Sequence, residues 1–263
     1  MERVPIQHRL RMPEISIITP CLRAAEVIGD CVQSVVEQSH EAEHLVVTGD
    51  AEQDIAILKD RLSPGVRVIR ETPRGIYAAL NTGIRAAKGE VIGALHADDF
   101  FHSGDVLATV AEAFEDPSID ACYGDLCYVD QEDIHRVVRY WNAGACKPSS
   151  FRNGWMPPHP TFFLRRSMYE KHGLYREDLG TAADYELMLR MLYRHRLKAV
   201  YIPSVLVNMR TGGASNASLA ARLAASNMDR RAWKVNDISP YPWFSLAKPV
   251  RKINQWWRRP KAG

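Results

Sequence analysis

Apolar positions along the first hundred residues switch between two periods. Ile15-Ser-Ile-Ile-Thr19 is a short β-branched run stopped by Pro20, and behind it Val27, Ile28, Cys31, Val32, Val35 and Val36 recur at helical spacing. Residues 44–48 followed by a helical pattern over 55–62 repeat that unit. Residues 66–70 followed by 76–87 repeat it again, and 91–95 predict a fourth strand. Alternation of this kind predicts a mostly parallel sheet covered by helices, which binds ligands beyond the carboxyl ends of its strands. Function is therefore expected just after Thr19, Thr48, Arg70 and Leu95.

The second half changes character. Residues 121–129 and 135–141 read as strands joined by a polar turn, and a loop rich in Gly and Pro over 154–160 leads to helical segments at 166–171 and 182–193. Two strands, 199–202 and 205–209, separated by Pro203, precede a loop carrying Arg210, Gly212 and Gly213.

Composition narrows the class. With 263 residues, 46% hydrophobic and 25% charged, the chain has enough apolar material for one α/β domain, which excludes a disordered or fibrous protein. No apolar stretch reaches the roughly 20 residues of a spanning helix, and no secretory signal is visible, so a cytoplasmic location is expected. Five cysteines at scattered spacings form no CxxC pair and are read as free thiols. The net charge of +3 is localised: Lys248, Arg251, Lys252, Arg258, Arg259 and Lys261 face no acid from Ile238 onward, which leaves −3 on the first 237 residues. A basic tail, rather than a basic folded face, argues against a nucleic-acid binder.

The first strand-to-helix turn, residues 19–24, contains no glycine, so the dinucleotide-binding GxGxxG turn is missing, as is a P-loop. His96-Ala-Asp98-Asp99 follows the fourth strand directly. Paired carboxylates at such an edge suit Mn²⁺ or Mg²⁺ shared with a diphosphate, although an isolated Asp-Asp is also a common solvated turn.

Ile15-Ser-Ile-Ile-Thr-Pro20, Ser34-Val-Val-Glu-Gln38, Arg74-Gly-Ile-Tyr77, Leu80-Asn-Thr-Gly83, Lys88-Gly-Glu90 and Leu95-His-Ala-Asp-Asp99 occur in that order. Tyr123-Gly-Asp125, Met156-Pro-Pro-His-Pro-Thr-Phe-Phe163, Ala183-Asp-Tyr-Glu186 and Asn208-Met-Arg-Thr-Gly-Gly213 continue the series. Over roughly residues 13–215 the chain resembles glycosyltransferase family 2, and in particular members that build bacterial surface polysaccharides of the colanic-acid type. The resemblance implies an α/β GT-A fold, a Rossmann-like, mostly parallel central sheet flanked by helices with a smaller acceptor-side β/α region. The corresponding division is 13–128 for nucleotide-sugar binding, 129–225 for the acceptor half and 226–263 for a basic amphipathic tail.

The same resemblance implies roles. Asp98 and Asp99 match the acidic motif that binds metal and the donor's ribose and diphosphate, and Asp184 matches the general base of inverting members. For Asp184 a structural alternative is open, because Thr181 to Asp184 is also the spacing of a capping box; Glu186 is the alternative acid. Thr19, Pro20, Arg74, Gly75, Asn81 and Arg210 are donor-side candidates, with Arg74 suited to a diphosphate and Arg210 on a loop able to close over the donor. Trp155, His159 and Glu186 are acceptor-side candidates; packing is an equal reading for Trp155. The sequence departs from the family at Thr48, where an Asp contacting the nucleobase is usual, at Pro73 and Ala78, and at His96. Asp50 is a substitute for Thr48.

Tyr241, Trp243, Phe244, Leu246, Val250, Ile253, Trp256 and Trp257 interleave with the basic tail, which suits either an interfacial helix on anionic lipid or a helix packed on the domain. The expected activity is inverting, metal-dependent transfer of one sugar from a UDP- or GDP-sugar to a lipid-linked saccharide at the inner face of the membrane. A catalytically degenerate nucleotide-sugar-binding module is the alternative.

Overall fold

A computed structural model describes residues 12–212 and 219–239. Strands β1 (Ile15–Cys21), β2 (Ala42–Thr48), β3 (Arg67–Arg70) and β4 (Val91–Ala94) lie side by side in the order β3-β2-β1-β4, all parallel. Every residue of β1 is buried, as a central strand covered on both faces requires. Helices α1 (Ile28–Val36), α2 (Glu52–Lys59) and α3 (Ile76–Ala86) supply the crossovers. The buried residues of α1 are Ile28, Cys31, Val32 and Val35, the stripe expected of a helix with one face on a sheet.

Beyond β4 the sheet becomes mixed. After β5 (Phe100–Phe101) and α4 (Val106–Ala113) come β6 (Ala121–Val129) and β7 (Val137–Trp141), then β8 (Phe163–Arg165) with α5 (Arg166–His172) and α6 (Ala183–Met188). Strand β9 (Ala199–Arg210) and helix α7 (Leu219–Val235) follow. Strand β8 enters between β4 and β6 antiparallel to both, β9 runs parallel to β6, and β5 closes the edge against β9. Strands 199–202 and 205–209 are one strand, contrary to the expected pair. Pro203 is tolerated because the β6–β9 register shifts around Asp125, and Pro203 and Ser204 are exposed there. The helical segment expected over 182–193 starts as α6 and continues as a π-helix over Leu189–Arg194.

One apolar cluster packs under α1 and α4, and a second joins α3, α6 and α7 to the other face of the sheet. Ala232 and Trp233 of α7 are fully buried in the second, so the 225/226 boundary falls inside a helix that belongs to the domain at its carboxyl end. The basic aromatic segment from residue 240 lies outside the described residues. All five cysteines are free, and burial pushes the thiols up, that of Cys31 to about 12, so none is a poised nucleophile.

Close approach between the β1 and β4 regions is set by Gly89, where an added Cβ would stand 2.6 Å from the backbone nitrogen of Ser16. Gly29, by contrast, has nothing within 4 Å. Gly89→Ala is expected to cost about 1 to 3 kcal/mol by overpacking against backbone. Gly29→Ala should be neutral or stabilising by up to about 1 kcal/mol. Equal urea midpoints for the two variants would contradict the close approach.

Candidate active site

Two strand registers assemble the site. Strand β4 ends against β1, with Leu95 N–H donating to Ile18 O at 3.0 Å, and the chain turns at His96, whose carbonyl accepts from Asp99 N at 3.0 Å. Strand β5 then pairs Phe100 with Asn208, a register that carries Asp98 opposite Arg210 two residues further on. Accordingly Arg210 N–H meets Asp99 Oδ1 at 3.3 Å and Arg210 Nη1 donates to Asp98 O at 3.1 Å, while Nη2 pairs with Asp30 on α1. On the other side, β4 pairs Gly93 with Phe163 of β8, so His96 and His159 come together with ring centroids 5.8 Å apart.

One ring nitrogen of His96 and one carboxylate oxygen each of Asp98 and Asp99 lie within 4.8 Å of one another. Asp99 is 0% exposed, and its Oδ2 has no hydrogen-bond partner; His96 Nε2 is likewise enclosed and unpartnered. Burial first, then the charge of Asp98, holds the Asp99 carboxyl well above the usual carboxylate range, and Arg210 only partly opposes this. Burial, with His159 next, lowers His96 to about 4, and burial lowers His159 to about 4, so both rings are neutral at neutral pH. A neutral imidazole and two acids with unused oxygens form a donor set that fits a divalent cation.

Asp184 lies in the first turn of α6. The capping box is not formed: Ala182 occupies the N-cap position and no side chain caps the helix. Asp184 Oδ1 accepts from Tyr185 N at 2.6 Å. Burial dominates the shifts of Tyr77, Tyr175 and His96, and the charge of Asp184 adds a smaller contribution to each. Tyr77 and Tyr175 had no role in the sequence reading. Tyr77 lies in a quoted motif, whereas nothing local marks Tyr175, whose hydroxyl bonds His159 Nε2 at 2.9 Å.

The other donor-side candidates have partners within the domain. Thr19 and Pro20 lie within buried β1, and Thr19 Oγ1 is engaged by His44 Nε2 at 2.8 Å. Thr48 is buried and accepts from Asp50 N at 3.1 Å, while Asp50 Oδ1 accepts from Arg23 N at 2.8 Å. Together they brace the turn in which Arg23 takes a positive φ of 52°. Arg74 is exposed and pairs with Glu71 and Glu177, and Gly75 opens α3 with a φ of 107°, a conformation that favours glycine.

Three candidates have partners within the domain. Asn81 is 2% exposed and clasps the backbone of Tyr175, donating to its carbonyl at 3.0 Å and accepting from its N–H at 2.9 Å, so it positions Tyr175. Trp155 donates to Ala143 O at 2.7 Å and packs edge-on against Tyr123 and Phe151, the packing alternative named for it. Glu186 is 1% exposed and bonds both Arg190 and Asn236. A separate cavity of about 240 Å³ lies over that pair, lined by His172, Arg176, Glu186, Arg190 and Arg194 among others.

The buried pair generates a test. Glu186→Ala should lower stability by about 3 to 5 kcal/mol, because Arg190 is left buried without its counter-charge, and should show as a fall in the urea midpoint. A shifted acceptor KM at unchanged stability would return Glu186 to the acceptor site.

The glycosyl transferase family 2 model matches residues 16–173. A PGL/p-HBAD biosynthesis glycosyltransferase of Mycobacterium bovis is 29% identical over 212 residues, covering 78% of this chain and 80% of that protein. A mannosyltransferase from Pyrobaculum calidifontis, solved in complex with GDP-Man and Mn²⁺, superposes with a TM-score of 0.60 at 18% identity, covering 90% of this chain and 69% of the other. S. aureus TarS 1–349 in complex with UDP-GlcNAc gives a TM-score of 0.60 at 15% identity over 92% and 78%. With the family model spanning more than half of its length, the chain belongs to glycosyltransferase family 2 and is a glycosyltransferase.

Proposed function

We propose that the enzyme transfers one sugar from a nucleoside-diphosphate sugar to a lipid-linked saccharide, with inversion at the anomeric carbon and with a divalent cation. The observation that carries the reading is the unpartnered Oδ2 of Asp99, a carboxylate with no exposure, in a cluster with Asp98 and His96 at the carboxyl end of β4. A buried acid left half-satisfied is costly in an apolar site and is relieved by a bound cation. The GDP-Man and Mn²⁺ of the Pyrobaculum enzyme and the UDP-GlcNAc of TarS support a nucleotide-sugar donor and a dication.

In this reading Asp98 and Asp99 hold the cation, which when bound neutralises the diphosphate as a Lewis acid. Arg210, fixed between Asp30 and the carbonyl of Asp98, presents its guanidinium beside the position of the leaving diphosphate. Asp184 receives the proton of the acceptor hydroxyl as that oxygen bonds to the anomeric carbon and the bond to the diphosphate oxygen breaks. Attack from the side opposite the leaving group inverts the centre in one displacement. Tyr77, beside Asp184, has its phenol pushed up by burial first and by that negative charge second, so it stays protonated as a donor.

The lipid-linked acceptor, of the kind used to build bacterial surface polysaccharide, rests on the six basic and eight apolar residues counted from Tyr241 to Lys261. Such a segment suits peripheral attachment to the anionic inner face of the membrane, and no helix among the described residues is long and apolar enough to cross it.

Two active-site variants test the chemistry. Asp99→Asn should abolish transfer and remove Mn²⁺-dependent binding of UDP or GDP by calorimetry. Asp184→Asn should bind donor normally with turnover reduced at least about 100-fold, the low end of a general base's contribution. Turnover that survives in Asp184→Asn would exclude it as the base. Truncation after Ser239, which preserves α7 and Ile238, should release the protein from anionic vesicles while transfer to a short soluble acceptor persists. Equal pelleting of full-length and truncated protein would show that the tail is not the anchor.

A further inference from the structure

His96 opens the acidic turn, two residues before Asp98. Its side chain has two properties that a solvated loop histidine does not have. The Nε2 atom is enclosed with no hydrogen-bond partner, and a ring nitrogen lies within 4.8 Å of oxygens of both Asp98 and Asp99. The neighbouring ring, His159, is committed differently, with its Nε2 bonded to the Tyr175 hydroxyl at 2.9 Å. Asp99 supplies the independent sign of a ligand, a carboxylate of 0% exposure whose Oδ2 is unpartnered in the same cluster.

We infer that His96 is a direct nitrogen ligand to the cation held by Asp98 and Asp99, and that it biases the site toward Mn²⁺ and against Mg²⁺. This deepens the metal-dependent reading above and rests on it. Mg²⁺ prefers an oxygen-only octahedral shell and retains its waters, whereas imidazole is a softer donor that first-row transition metals accept more readily. An imidazole instead of a further oxygen donor at this turn therefore moves selectivity in one direction. His96 reaches the cluster because β4 ends at Ala94, two residues before it, and the β4–β8 register sets the His159 side of the turn against its other flank.

Pulsed electron paramagnetic resonance on Mn²⁺ bound to the full chain, alone and with UDP, reads the ligand directly. Wild-type protein should show the modulation of a directly bonded nitrogen. His96→Asn and His96→Asp should lose it, and His159→Phe should retain it. Titration should show Mn²⁺ affinity falling at least about tenfold in His96→Asn, the scale of losing even an outer-shell partner, and competition of Mg²⁺ against Mn²⁺, followed by the free Mn²⁺ signal, should show the preference for Mn²⁺ falling in both His96 variants. Loss of modulation in His159→Phe with retention in His96→Asn would overturn the assignment. So would Mn²⁺ binding that Asp99→Asn abolishes but that shows no nitrogen modulation in wild type, an outcome that leaves the metal-dependent reading standing. Wild-type protein that binds no Mn²⁺ with or without UDP would take down both.

Discussion

A carboxylate removed entirely from solvent needs partners for both oxygens, and Asp99 has a partner for one. Its Oδ1 takes the Arg210 backbone N–H, and Oδ2 is left over. The surrounding fold keeps this state in place, since β4 is covered on both sides by β1 and β8 and β5 is locked to β9. Leaving such an atom unmatched costs on the order of 1 to 3 kcal/mol, a penalty that domains rarely retain away from sites where a ligand relieves it. The raised affinity of Asp99 for its proton and the neutral state of His96 and His159 have the same origin, burial without compensating charge.

Register, more than loop shape, decides which groups meet there. Strand β5 is two residues long, yet its pairing with β9 sets Arg210 beside Asp98 across a separation of more than a hundred residues. The three-residue β8 does the same for His159 and His96. A one-residue slip in either ladder would turn those side chains to the opposite face of the sheet.

This also explains what was legible in the sequence. Strands β1, β2 and β4 carry buried apolar runs and β3 a Val68-Ile69 pair between arginines, so their order of appearance and the edge where the acidic turn sits could be read from periodicity, and the motif order pointed to the family. Strands β5 and β8 are too short to carry a period, and the contacts they create could not be foreseen. Asn81 and Trp155 show a second limit: a polar or amphipathic residue near a predicted edge looks the same in sequence whether it meets ligand or a backbone carbonyl. Asn81 spends its amide on Tyr175, and Trp155 its indole N–H on Ala143. Glu186 shows the limit of motif reading most sharply, since it belongs to the same four-residue motif as Asp184 and does different work.

On an α-helix two residues separated by one are turned about 200° from each other, so one cannot share the other's surroundings. Asp184 faces the site wall, whereas Glu186 points into the domain and binds Arg190 and Asn236. Arg190 in turn donates to the carbonyls of His172, Gly173 and Leu174, and the turn stays open to it because Gly173 adopts a φ of 91° with no side chain in the way. The next residue is Tyr175, clasped by Asn81 from α3 and bonded to His159, which lies against His96. The buried ion pair therefore holds both ends of the site wall, fixing α6 and with it Asp184 at one end and the Tyr175–His159 edge of the acidic cluster at the other. Asn236, just past the end of α7 and bonded to Ala232 O within it, closes the network. A base at Asp184 and a cation at Asp98 and Asp99, as proposed above, would act on one bond and so need a constant separation, which this buried network is built to keep.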